Sequence, residues 1–95
     1  MYYQGLRFIE HDCDFATMHR CELVPGSISA TIFRHHDERV SVLLSIHFGK
    51  CLVQPNVFAS SLDEAWSEAI AQLHIVSPLA AAVWDEAFAN APVST

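Results

Sequence analysis

Apolar residues recur at two different periods in this chain, and the change near residue 60 divides it into a strand-rich part and a helical part. From Ser61 to Val76 the period is helical. Leu62, Ala65, Trp66, Ala69, Ile70 and Leu73 form one stripe, with Asp63, Glu64, Ser67, Glu68 and Gln72 opposite. Ser61 followed three residues later by Glu64 has the form of a capping box: the hydroxyl takes an orphan amide, and the carboxylate reaches back at the positive end of the helix dipole. A helix of this length is marginal alone in water, so its stripe must cover a surface built elsewhere. Ser77-Pro78 caps and starts a second helix, because proline at the first helical position gives up only an amide that has no partner there. Leu79, Ala80, Val83, Trp84, Ala87 and Phe88 make its apolar side. It ends near Asn90, and Ala91 to Thr95 reads as a frayed tail.

Upstream the period is two. Tyr2 to Glu10 reads as one strand interrupted by Gly5, and Phe15 to Val24 alternates as a second, with Phe15, His19, Cys21 and Leu23 on one face. Pro25-Gly26 marks a type II turn, since proline presets the first central residue and glycine accepts positive φ at the second. Ser27 to His35 carries Ile28, Ala30 and Ile32 on one face and Thr31 and Phe33 on the other. A polar turn around Asp37 and Glu38 precedes the strongest strand, Val40, Val42, Leu44, Ile46 and Phe48. Gly49-Lys50 fits a two-residue hairpin loop, after which Cys51 to Val53 return as a short edge strand that Pro55 stops. Strands followed by helices specify an α+β fold: an antiparallel meander sheet of four or five strands with two C-terminal helices packed on one face, in a single domain spanning 1–95.

Composition agrees with a folded domain. Of 95 residues, 52% are hydrophobic and 17% charged, far from the disorder regime. The mean hydropathy of +0.23 is high for a small protein and points to an efficient core or to apolar surface reserved for a partner. The longest apolar runs, such as LAAAV, fall far short of the roughly 20 residues that span a bilayer. The opening MYYQGLRFIE lacks the basic start and apolar block of a signal peptide, so a cytoplasmic protein is expected. The three cysteines, Cys13, Cys21 and Cys51, form an odd set with no secretory signal, which argues against a disulfide framework and for buried structural thiols. Cys51 beside Lys50 is the best placed of them to react.

Charge changes the picture most. All five basic residues, Arg7, Arg20, Arg34, Arg39 and Lys50, lie in the first fifty positions, where six acids nearly balance them. Beyond Lys50 stand Asp63, Glu64, Glu68, Asp85 and Glu86 with no Lys or Arg, so the net −6 divides as −1 and −5. Direct binding to nucleic acid is disfavoured, because that affinity rests on cations neutralising phosphates. A basic protein surface is the natural partner.

Catalytic signatures are absent: the glycines are isolated and there is no nucleophile elbow. The best chemical constellation is His11, Cys13, His19 and Cys21. If the first two strands paired with Cys13 opposite His19, these four side chains would meet on one face as a tetrahedral zinc site needs; a mixed core-edge face with satisfied histidines explains them without metal. His35-His36-Asp37-Glu38 crowds two imidazoles and two carboxylates where a solvated turn is expected, and His74 sits at the negative end of the first helix. For RNA the sheet would need exposed aromatics among basic residues, whereas its central strand offers Val42, Leu44 and Ile46.

The expectation is therefore a non-enzymatic, cofactor-free binding or inhibitory module. Its partner-binding residues are Asp63, Glu64, Glu68, Asp85 and Glu86, and its partner is a basic protein surface such as that of a nucleic-acid-binding complex. In size, charge and layout alone the chain resembles small acidic phage inhibitors, anti-CRISPR proteins among them. The alternatives are a zinc-binding module and a homo-oligomeric structural protein, a homodimer in the simplest case.

Overall fold

The computed structural model describes residues 1–91; the part of the expected tail from Pro92 to Thr95 lies outside the described residues. The chain folds as α+β. Its strands are β1 (Tyr2–Tyr3), β2 (Leu6–Arg7), β3 (Ile9–Asp12), β4 (Ala16–Val24), β5 (Ile28–His35), β6 (Val40–Phe48), β7 (Cys51–Val53) and β8 (Asn56–Ala59); helices α1 (Leu62–Val76) and α2 (Pro78–Ala89) follow. The main sheet is an antiparallel meander, β3-β4-β5-β6-β7, and β8 also pairs with β6.

The first ten residues depart from the expected single strand. Gln4 and Gly5 both take positive φ, 53° and 75°, which folds β1 onto β2 in a tight hairpin before β3 begins. This small hairpin closes one end of the core, with Leu6 and Phe8 buried and Tyr3 edge-on to Trp66 at 5.4 Å. The Pro25-Gly26 turn forms as expected: Gly26 has φ 79°, and the Ser27 amide donates to the Val24 carbonyl at 3.0 Å.

Pro55 interrupts the edge strand without ending it. Ile46 pairs with Val53 and Leu43 with Asn56 in one unbroken register, so β7 and β8 are two halves of a single edge. At the break the Leu44 amide still donates to the Pro55 carbonyl at 3.0 Å, but proline has no N–H to return. One missing donor divides the strand, and the accepting carbonyl keeps its register.

Strand alternation sends Ile28, Ala30 and Ile32 of β5 and Val40, Val42, Leu44 and Ile46 of β6 to one face, where α1 and α2 cover them with Trp66, Leu73, Trp84 and a set of alanines. Each large aliphatic side chain buried this way contributes roughly 1.5–3 kcal/mol. Ala65, Ala69, Ala80 and Ala81 are almost fully buried and let the backbones approach closely. The stripe of α2 is rotated from the expected one: Ala81 turns in, and Leu79 is 65% exposed.

Ser77 joins the helices with no intervening loop. Its amide donates to Leu73 O at 3.0 Å, ending α1, and its hydroxyl accepts from the Ala80 amide at 3.1 Å, starting α2. At the start of α1 only half of the expected capping box forms. Ser61 Oγ accepts from the Glu64 amide, but the Glu64 carboxylate takes the Ser60 hydroxyl.

Candidate functional site

The helices cover one face of the sheet, which leaves two surfaces to examine: the outside of the helical layer and the uncovered face of the sheet.

On the helical side, Glu64, Glu68, Ala71 and Ile75 recur at helical spacing along the exposed side of α1. This stripe runs into the corner at Ser77, where Ile75, Val76 and Leu79 are 80%, 69% and 65% exposed. The other acids are held differently. Asp63 accepts a 2.6 Å hydrogen bond from the Tyr3 hydroxyl, and Asp85 lies 3.6 Å from His74 Nε2 across the helix–helix seam. His74 thus bridges to α2 as well as sitting at the end of α1. Glu86 borders a groove of about 330 Å³ between α2 and the β4–β5 turn, with Leu23, Val24, Ile28 and Val83. Among the described residues no salt bridge joins Glu64, Glu68 or Glu86 to a cation. The Tyr3 hydroxyl titrates above its ordinary value, first because it is partly buried and then because it donates to Asp63.

The zinc arrangement does not form. β3 and β4 pair with His11 opposite Met18 and Glu10 opposite His19, not with Cys13 opposite His19. The register places His11 on the open face and His19 and Cys21 on the helix side, while Cys13 lies beyond the end of β3. Among the described residues no three His, Cys, Asp or Glu side chains gather where they could hold a metal ion. His19 is buried, its Nε2 3.8 Å from Glu10 and its Nδ1 without a hydrogen-bond partner among the described residues. Burial holds its pKa below the ordinary imidazole value; Glu10 opposes that shift, and Arg34 and the N-terminal amine reinforce it. Burial likewise pushes the Cys21 thiol up, with Glu22 adding to the effect. None of the three cysteines is fully buried, contrary to expectation: Cys51 is exposed, and Cys13 and Cys21 are half-buried.

The open sheet face carries the residues that sequence reasoning missed. Val42, Leu44 and Ile46 point into the core, so the side presented outward is the other one. There Phe15, Phe33 and His35 stack with centroids 6.2 Å apart, and Phe58 approaches His35 at 5.4 Å. Arg39 lies over the Phe58 ring at 5.6 Å, and His35 Nε2 is 3.0 Å from Ser41 Oγ. Phe15 and Phe58 are 60% and 53% exposed. Of the expected solvated turn, His36, Asp37 and Glu38 are exposed while His35 belongs to β5 and the stack; Asp37 is bound to Arg39 at 2.7 Å, and the Arg39 backbone amide and guanidinium hold that carboxyl below its ordinary pKa. No local spacing signals this cluster, because its rings come from β5, β8 and the loop before β4, segments far apart in the chain. Phe33 alone was legible, as the outward partner of Thr31.

No family model, curated protein or solved structure matches the chain.

Proposed function

We propose that the chain is a non-enzymatic protein-binding module that docks the outer face of its helical layer on a basic protein surface. The observation that carries this reading is the outward stripe of α1, where Glu64 and Glu68, with no matching cation among the described residues, lead to the exposed apolar corner of Ile75, Val76 and Leu79. An apolar centre beside charged residues is the anatomy of a protein interface, and like-signed carboxylates select a cationic partner and speed the encounter. Asp85 extends the acidic side across the seam, and Asp63 and Glu86 contribute to the field at the margins of the layer. Proteins that handle nucleic acid present basic surfaces of this kind, so occupation of such a groove would make the chain an inhibitor. Three free thiols fit a reducing compartment, the cytoplasm, and among the described residues no helix is long and apolar enough to cross a membrane.

The test is capture from native host extract by the full chain and by a Glu64→Lys/Glu68→Lys variant. The reading expects a basic protein retained by the native sequence, released by salt and lost with the variant, while the variant's circular dichroism is unchanged. Equal retention by both would remove the acidic stripe from the interface. Leu79→Ser should weaken the same capture without altering its salt dependence, since it removes apolar contact and leaves the charge.

A further inference from the structure

We propose that the uncovered sheet face is the contact surface of a two-fold symmetric homodimer, in which the aromatic row of each copy seats in the hydroxyl-lined hollow of the other. The strand register fixes the relevant rows. At one end, His11, Met18, Phe33, Ser41 and Phe58 follow one another across the sheet, with Phe15 and His35 stacked beside them. At the other end the corresponding positions are Glu22, Ser29 and Ser45, with Gln54 donating to Ser45 Oγ at 3.3 Å. Large rings raise the first end, while at the second the small side chains of Ser29 and Ser45 leave a hollow between longer ones, Glu22 and Gln54 among them. The hollow over Ser29 and Ser45, walled by Arg20, His47 and Leu52, has a volume of about 170 Å³. A closed cavity of roughly 150 Å³ accepts a benzene molecule, so this open hollow has volume enough for a phenyl ring.

The occupant follows from symmetry and charge. An isologous contact needs one patch that is its own complement, and a surface that rises at one end and dips at the other meets this condition when two copies face each other antiparallel. Sheets packed face to face interlock their side chains in the same manner. The face is also internally balanced: Arg20 pairs with Glu22 at 3.3 Å and Arg39 with Asp37 at 2.7 Å. Of the net −6, the helices carry −5, as Asp63, Glu64, Glu68, Asp85 and Glu86. In the dimer both sheets stand between the two helical layers, a separation well beyond the roughly 8 Å screening length at physiological salt, so repulsion between copies is small. The molecule's two larger extents, 35 and 30 Å, leave room for the roughly 800 Å² per partner that a stable interface uses. Single-stranded nucleic acid could also stack on the rings. The arginines nearest them are already matched by carboxylates, however, and the chain is acidic.

Sedimentation equilibrium of the full chain across a concentration series tests the proposal. Expected are a dimer insensitive to added salt, and self-association weakened roughly 30-fold or more by Phe58→Ser or Phe15→Ser, the loss typical of an aromatic anchor. Gln54→Arg, which places bulk and charge in the hollow, should weaken it comparably. All three positions are exposed, so circular dichroism and the melting temperature should confirm that the variants fold. A monomer at every soluble concentration overturns the proposal, as does a dimer that survives the ring and hollow substitutions or is broken by Glu64→Lys/Glu68→Lys. Tight binding of a fluorescent single-stranded oligonucleotide, lost in Phe58→Ser, would assign the face to nucleic acid instead.

Discussion

His19 shows how one side chain records its surroundings. Its ring is enclosed on the helix side of the sheet with Nδ1 unpartnered among the described residues, and burial lowers its affinity for a proton. The unfolded chain therefore binds the proton more readily. Stability is complete above the ordinary histidine pKa of about 6.5 and declines as pH falls from there through the lower folded value. Denaturant midpoints measured from pH 7.5 down to about pH 5 should fall for the native sequence and fall less for His19→Gln, with the His19 ring titrating below the ordinary histidine value by NMR. An equal decline in both would show that His19 does not contribute. Gly5 is a second single-residue determinant. With φ at 75°, Gly5→Ala should cost about 1 kcal/mol in chemical denaturation, although a methyl there meets no neighbour.

At the scale of elements, Ser77 both ends α1 and starts α2. Ser77→Ala should cost about 1 kcal/mol, read from the same unfolding curves, because it removes the acceptor for the Ala80 amide. Leu44→Ala, in the centre of β6, should cost about 2–5 kcal/mol, the contrast between a cap and a core position. The elements that were legible in the sequence are those whose signal is local. The period of α1, the Ser77-Pro78 start of α2, the Pro25-Gly26 turn and the alternation of β5 and β6 all reappear. The misread elements depend on something a pattern does not carry. Gln4 in the left-handed region turns the first strand into a hairpin without the asparagine that usually marks such a turn. The register of β3 on β4 follows from the loop between them, where the Cys13 amide donates to Ala16 O, and this register separates His11 from His19. Pro55 looked like a stop because its missing amide is visible in sequence, while the carbonyl that preserves the pairing is not distinctive.

Across the whole molecule, the sequence disclosed the imbalance of charge but not how the fold apportions it. Asp63 and Asp85 take internal partners, Glu86 turns to a groove, and Glu64 and Glu68 remain on the outer stripe beside an apolar corner whose Leu79 the expected stripe of α2 would have buried. The aromatic surface was illegible for a different reason, since its rings meet only when β5, β8 and the loop before β4 are assembled. The molecule thus has an acidic helical side, proposed to dock on a basic partner, and a sheet side whose arginines are paired, proposed to meet a second copy. Hydrogen exchange of the chain, free and in the complex recovered by capture, compares the two sides in one measurement. On partner binding, protection should be gained along α1 and the Ile75–Leu79 corner, with none added in β3–β8. Protection gained on the open sheet face, with α1 unchanged, would contradict the proposed docking.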